Sequence, residues 1–215
     1  MLCCLVLLCG CIPAIYTSSI STDFLLIDPG HGGFDGGAVA EDGTVEKHVN
    51  LKISLLLRDM LYICGIPVKM TRDTDVGLID GTENTIRQKK VNDLQQRLAL
   101  YNQANQVISI HQNLFSVPKY SGAQVFYSGN HPAGYMLADC IQQSIHARLQ
   151  PKNHREIKQA SDGIYLLRHT TTPAVLVECG FLSNPEERQM LLTETYQQQM
   201  AFAITLGYFQ FSLEK

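Results

Sequence analysis

The sequence predicts an α/β layered domain. Three observations carry that reading: short apolar runs of strand length recur along the chain, stretches with a 3.6-residue apolar period alternate with them, and glycine- or proline-bearing turns separate the two. The chain has 215 residues, 45% hydrophobic and 17% charged, which suits one ordinary domain with a real core.

Phe24-Leu25-Leu26-Ile27 reads as a buried strand that stops at Asp28-Pro29-Gly30. A glycine-rich stretch (Gly30, Gly32, Gly33, Gly36, Gly37) surrounds His31 and Asp35. From about Glu46 a helix is expected, because Val49, Ile53, Leu56, Leu57, Met60 and Leu61 share one face, and Gly65 and Pro67 end it. Ile66–Thr71 is the second expected strand, Asp73–Thr85 a polar connection and Ile86–Gln103 the second helix. Gln106–Ile110 and Ala123–Tyr127 read as strands, Ala133–Leu149 as a helix, and Ile164–Leu167 and Ala174–Val177 as two further strands. Asn184-Pro185-Glu186-Glu187 opens a helix, with proline at its first position and acids in its positive first turn, and the rest to Phe211 reads as helical.

Lys and Arg total 17 against 20 Asp and Glu, so no basic surplus exists to neutralise phosphates, and nucleic acid is excluded as a main partner. Of seven cysteines, Cys3, Cys4, Cys9 and Cys11 crowd the start. Cys64, Cys140 and Cys179 are too scattered to form a disulfide framework, and no CxxC pair is present. Leu2–Ile15 is apolar, interrupted by Gly10 and Pro13, and shorter than the ~20 residues of a spanning helix. It reads as a signal or membrane-anchor remnant joined by a polar link, although the first basic residue is Lys47. Leu8-Cys9-Gly10-Cys11 faintly resembles a lipoprotein cleavage site with Cys11 as the lipidated residue.

The chemistry gathers where apolar strands run out. Phe24–Ile27 leads into Asp28 and His31, Val107–Ile110 into His111, and Val175–Val177 into Glu178. Ligands of α/β sheets collect at the carboxyl ends of strands, and ionisable groups there need compensation. Two imidazoles and a carboxylate are a donor set that zinc accepts, and Glu46 offers the carboxylate. The arrangement would place His31, Glu46 and His111 on a metal, with room for water, and Glu178 as the general base.

Each residue also has a plainer explanation. His31, between Gly30 and Gly32-Gly33, has little core to satisfy. His111 alone could equally be a satisfied core histidine, and Glu46 alone is better explained as a favourable helix-start charge. Glu178 is conspicuous because glutamate is rarely buried unpaired. His48, His131, His146, His154 and His169 read as surface or loop residues. Cys179, next to Glu178 on a strand, points to the opposite face and suits packing rather than nucleophilic attack.

These segments resemble the zinc-dependent N-acetylmuramoyl-L-alanine amidases of bacterial cell walls, from Leu25 to about Leu192. The resemblance is carried by Asp28-Pro29-Gly30-His31-Gly32-Gly33-Phe34-Asp35-Gly36-Gly37-Ala38, by Glu46-Lys47 with Asn50-Leu51, by Thr71-Arg72, by Ser109-Ile110-His111-Gln112-Asn113, and by Val177-Glu178-Cys179-Gly180-Phe181-Leu182-Ser183-Asn184. Asn105-Gln106 and Gln112 depart from the family pattern without removing a ligand. The resemblance implies a three-layer α/β/α sandwich around a mixed sheet of about six strands. It implies Zn2+ held by His31, Glu46 and His111, Glu178 as the catalytic residue, and a structural role for Arg97. The chain then divides into an apolar signal or anchor remnant at 1–22 and a catalytic domain at 23–215.

The activity implied is hydrolysis of the amide between the lactyl group of N-acetylmuramic acid and L-alanine of the peptidoglycan stem peptide. Gly122–Tyr127, Arg155–Lys158, the Glu178–Glu187 segment and the short Thr71–Arg97 interval are similar to the sporulation branch. That branch acts in spore-cortex maturation and prepares muramic acid for δ-lactam formation by a separate deacetylase. It implies an exported, extracytoplasmic protein of the cell envelope or forespore-cortex space, with peptidoglycan as substrate. It leaves room for an accessory protein and for membrane association through the N-terminal segment. Two other functions compete: a zinc peptidase cutting within the stem peptide, and a catalytically silent peptidoglycan-binding domain. Glu178 argues against the silent domain, because a binding module needs no base beside its metal.

Overall fold

Leu25, Leu26 and Ile27 are all buried, as a strand covered on both faces requires. They belong to β1 (Leu25–Pro29) in a computed structural model that describes residues 23–79 and 85–214. The expectations for residues 1–22, including Cys11 and the anchor, lie outside the described residues.

After β1 come α1 (Glu46–Ile63), β2 (Val68–Met70), α2 (Ile86–Tyr101), β3 (Gln106–Asn113), β4 (Gln124–Tyr127), α3 (Pro132–Arg148), β5 (Lys158–Gln159), α4 (Tyr165–His169), β6 (Ala174–Phe181), α5 (Pro185–Leu191) and α6 (Glu194–Leu213). The described residues form one six-stranded sheet of order β2-β1-β3-β6-β4-β5. It is mixed: β4 runs antiparallel to β6, and every other neighbouring pair is parallel.

Alternation along the central strands assigns the two faces. Leu25, Ile27, Ile108, Ile110, Val175 and Val177 point to a core filled by α1, α3 and α6, through Ile53, Leu57, Ile141 and Met200 among others. Each such fully buried aliphatic side chain stabilises the fold by about 1.5–3 kcal/mol over exposure. Leu26, Val107, Ala174 and Leu176 point the other way, into a smaller core with Tyr101, Leu166 and Leu167 from α2 and α4. The result is the expected three-layer sandwich. Asp28, Ser109, His111 and Glu178 continue the second set, so the smaller layer leaves the polar ends of β1, β3 and β6 beside the short α4.

Two expectations need correction. Ile164–Leu167 is not a strand: Tyr165–His169 forms a one-turn helix, and a short apolar run carries no period that separates the two states. The sixth strand is instead the exposed pair Lys158–Gln159, which takes its place by pairing with Phe126 and Tyr127. The C-terminal stretch is helical as expected, and it divides into α5 and α6 because Thr193 caps α6 by accepting a hydrogen bond from the Tyr196 N–H at 3.3 Å. His111 and Glu178 also lie within β3 and β6 rather than just beyond them, and their Cα atoms are register partners.

Candidate metal centre and catalytic site

His31, Glu46 and His111 each offer a ligand atom, and these atoms lie within 4.8 Å of one another. Glu46 is the first residue of α1, where the helix start favours a negative charge. Its carboxylate sits between the two imidazoles, 3.2 Å from His31 Nε2 and 3.0 Å from His111 Nδ1. The Ala38 N–H donates to Oε2 at 2.8 Å, while the Gln112 N–H and Asn50 Nδ2 donate to Oε1, each at 3.1 Å. Burial opposes ionisation of Glu46, but hydrogen bonds and charge from His111 and His31 hold it well below the usual carboxylate range.

The glycine-rich loop lets backbone approach these side chains. At Gly30 a Cβ would lie 2.2 Å from His111 Nε2. At Gly37, with φ +71°, it would lie 2.5 Å from Glu46 Oε2. His31 itself has φ 64°, a left-handed conformation uncommon outside glycine. Its Nδ1 faces Asp35 Oδ2 at 2.8 Å, so Asp35 fixes the ring and leaves Nε2 toward Glu46. Burial lowers the His31 pKa, but Asp35 and Glu46 outweigh it and push it up to about 9.

Arg72 clamps the loop from below, a role that sequence reasoning missed. Its guanidinium donates to the carbonyl oxygens of Pro29, Gly30, His31, Lys47 and Thr74 at 2.7–3.1 Å. Arg97 donates to the His31 carbonyl at 2.6 Å and pairs with Asp93 and with the fully buried Asp28. Tyr101 Oη and Ser109 Oγ donate to the other Asp28 oxygen, and Thr71 Oγ1 donates to the same oxygen as Arg97. Burial alone would raise the Asp28 pKa, yet Arg97, Tyr101 and Thr71 hold it well below the usual range. Arg97 therefore has the structural role expected of it.

Glu178 is partly buried, and its Oε2 is closed off from solvent with no hydrogen-bond partner. Burial, with the Glu46 carboxylate adding to it, pushes its pKa up to about 8. A carboxyl so tuned can take and return a proton near neutral pH. Cys179 is fully buried in the larger core, and burial raises its thiol further above neutrality, as suits packing. His48, His131, His154 and His169 are exposed, and none of the five remaining histidines joins the three-group cluster. His131 caps α3 by accepting from the Ala133 N–H at 3.1 Å.

Asp35, Asn50 and Gln112 are the supporting residues whose site roles sequence reasoning did not assign. Asp35 carried one signal, an acid four residues after a candidate ligand histidine. Gln112, which departs from the family pattern, is buried and donates from Nε2 to Asn50 Oδ1 at 3.2 Å.

Residues 25–209 match a family model described as N-acetylmuramoyl-L-alanine amidase. The chain is 40% identical over 199 residues to the germination-specific N-acetylmuramoyl-L-alanine amidase of Bacillus subtilis (strain 168), covering 91% of this chain and 82% of that protein. It is 29% identical to the N-acetylmuramoyl-L-alanine amidase AmiA of Escherichia coli (strain K12), covering 85% and 74% respectively. Among solved structures, the CwlD amidase from Clostridioides difficile in complex with the GerS lipoprotein superposes with a TM-score of 0.86 at 40% identity, over 90% of this chain and 100% of that one. The amidase AmiC2 of Nostoc punctiforme gives 0.75 at 31% identity, over 90% and 98%.

Proposed function

The chain belongs to the N-acetylmuramoyl-L-alanine amidase family, and from that premise we propose that it is a zinc enzyme of spore-cortex maturation. His31, Glu46 and His111 would hold the ion, and Glu178 would move the proton. The observation that carries this reading is the Glu46 carboxylate set between two imidazoles, with an unpartnered glutamate oxygen on the neighbouring strand. Two nitrogens and a carboxylate, close enough to share one centre, fit the borderline donors that zinc takes in hydrolases.

A zinc ion there supplies Lewis-acid polarisation of the scissile carbonyl and activation of a water nucleophile. The protein supplies the rest. Asp35 holds the His31 ring in the tautomer that leaves Nε2 free to ligate. The Ala38 and Gln112 N–H groups and Asn50 fix the Glu46 carboxylate, so it need not reorganise on loading. Glu178 Oε2, with no hydrogen bond to break, takes the proton from water and returns it to the leaving L-alanine amine. Lactyl carboxylate and free stem peptide are the products, with the glycan intact.

The spore role rests on similarity to the germination-specific enzyme of B. subtilis. In that proposed role this step would precede a separate deacetylase and δ-lactam closure. The C. difficile CwlD relative is in complex with a lipoprotein, which supports an accessory partner of that kind here. Peptidoglycan as substrate places the enzyme outside the cytoplasm, with residues 1–22 as signal or anchor and 23–215 as the catalytic domain.

The test is mass spectrometry of purified peptidoglycan after incubation with the zinc-loaded protein. Stem peptides beginning at L-alanine, released from whole glycan chains, are expected. Peptides cut within the stem would make the enzyme a peptidase, and no release from a zinc-replete sample would mean either a silent domain or a missing partner.

A further inference from the structure

We propose that the cavity beside His31 and His111 is the subsite for the first two residues of the stem peptide, with Lys90 as the cation that receives a carboxylate from the second. This rests on the amidase reading above. The cavity encloses about 270 Å3 between α2 and α4, and reaches both histidines. Leu94, Ile164, Leu167 and Leu176 contribute its apolar wall.

Size and chemistry both favour the peptide side of the scissile bond. The volume falls just below the roughly 300–1,000 Å3 of ordinary ligand pockets, which suits a short peptide segment. Sugar hydroxyls and acetamido groups would also shed water against the aliphatic walls, which offer them no hydrogen bonds in return. An alanine methyl has no such cost.

The charged groups along the cavity are engaged with one another, and Lys90 keeps donors to spare. Asp28 is taken up by Arg97, Tyr101 and Ser109. Asp35 receives His31 and Lys90. Lys90, on the second turn of α2, has a half-exposed side chain and gives one donor to Asp35 at 2.9 Å. An ammonium has three donors, so two remain for a ligand. The cavity therefore suits a small apolar group followed by one negative charge.

The stem peptide has that pattern. L-alanine supplies the methyl, and the next residue, a glutamate linked through its γ-carboxyl, supplies a free α-carboxylate. The sugar side supplies none, because the lactyl carboxyl is itself in the amide being cut. Lys90 is thus assigned as a specificity residue that reads the second stem residue.

The experiment uses soluble, uncrosslinked peptidoglycan strands whose stem glutamates are either free or α-amidated, with the zinc-loaded full chain. The wild type is expected to favour the free acid by about tenfold in kcat/KM, chiefly through KM. Lys90→Met should erase that preference, and Lys90→Arg should restore most of it. A purely structural effect passed through Asp35 and His31 would slow both substrates equally and keep their ratio, which would overturn the proposal. Cleavage of both substrates without preference by the wild type would also overturn it while sparing the amidase reading. Cleavage of neither would overturn the amidase reading and the subsite with it.

Discussion

Asp35 Oδ2 lies 2.8 Å from His31 Nδ1, four residues away along a loop in which His31 takes a left-handed backbone conformation. The same carboxylate accepts from the Gly37 N–H at 3.3 Å and from Lys90 at 2.9 Å. It therefore orients the ring while being held from two other directions. Partners of this kind set ring tautomer and ligand basicity, and their loss costs about 10–100-fold in metal affinity. Asp35→Ala is expected to weaken zinc by that factor in a chelator competition, with the far-UV circular dichroism unchanged. Unaltered affinity would remove Asp35 from the metal site.

Glu178 separates catalysis from stability. Its Oε2 has no partner and its charged form is disfavoured by burial, so an uncharged isostere relieves a cost. Glu178→Gln should keep its zinc, match or exceed the wild-type Tm, and lose turnover by about 10²–10⁴-fold. Metal analysis, a thermal melt and the peptide-release assay read the three effects separately. Turnover near the wild-type level would end the role of Glu178 as base.

Zinc should also stabilise the fold, because its three proposed ligands come from the loop after β1, the start of α1, and β3. Free metal at 100 times its Kd adds about 2.7 kcal/mol, or a Tm increase of ~5–10 °C for a domain of this size. A chelator should remove both the increment and the activity, and added zinc should restore both. A melt indifferent to chelator would take the metal out of the account.

The residues of the site were far more legible than the frame that holds them. His31 stood out because glycines on both sides leave an imidazole no core to join, and Glu178 because three buried residues precede it. Glu46 was ambiguous on charge alone and depended on the family resemblance. Arg72 gave no chemical signal, since its partners are carbonyl oxygens of Pro29, Gly30 and His31, and backbone acceptors leave no mark in a sequence. Lys158–Gln159 was invisible as a strand for a related reason: its pairing with Phe126 and Tyr127 is made by backbone, and its side chains are exposed. Ile164–Leu167 misled because burial under α2, not period, decides the conformation of so short a run.

Asp28 gives the fold its acid sensitivity. Its folded pKa is depressed relative to the unfolded value of ~3.9, so its contribution is present above that value and is lost as pH falls toward the folded pKa. Stability should decline below about pH 4. Asp28→Asn leaves Arg97 buried with only Asp93 as a charged partner, and is expected to cost about 3 kcal/mol at pH 7. Urea unfolding at pH 7 and pH 3 checks the sign: the gap between wild type and variant should narrow in acid. A gap that stays constant would assign the cost to packing instead of charge.

Gly37 and Gly65 form a matched pair that separates backbone strain from damage to the site. Both have positive φ, +71° and +80°, so an alanine at either position carries a left-handed penalty of about 1–2 kcal/mol. At Gly65, after the end of α1, a Cβ meets nothing within 4 Å. At Gly37 it would lie 2.5 Å from Glu46 Oε2 and 2.6 Å from His31 Cδ2. Gly65→Ala should therefore lower the Tm slightly and leave zinc affinity and turnover alone. Gly37→Ala must push the loop off the Glu46 carboxylate or turn the His31 ring, and should lose zinc affinity and activity beyond any loss of stability. Equal behaviour of the two variants in a zinc titration would mean that the loop can yield at Gly37 without disturbing Glu46 and His31.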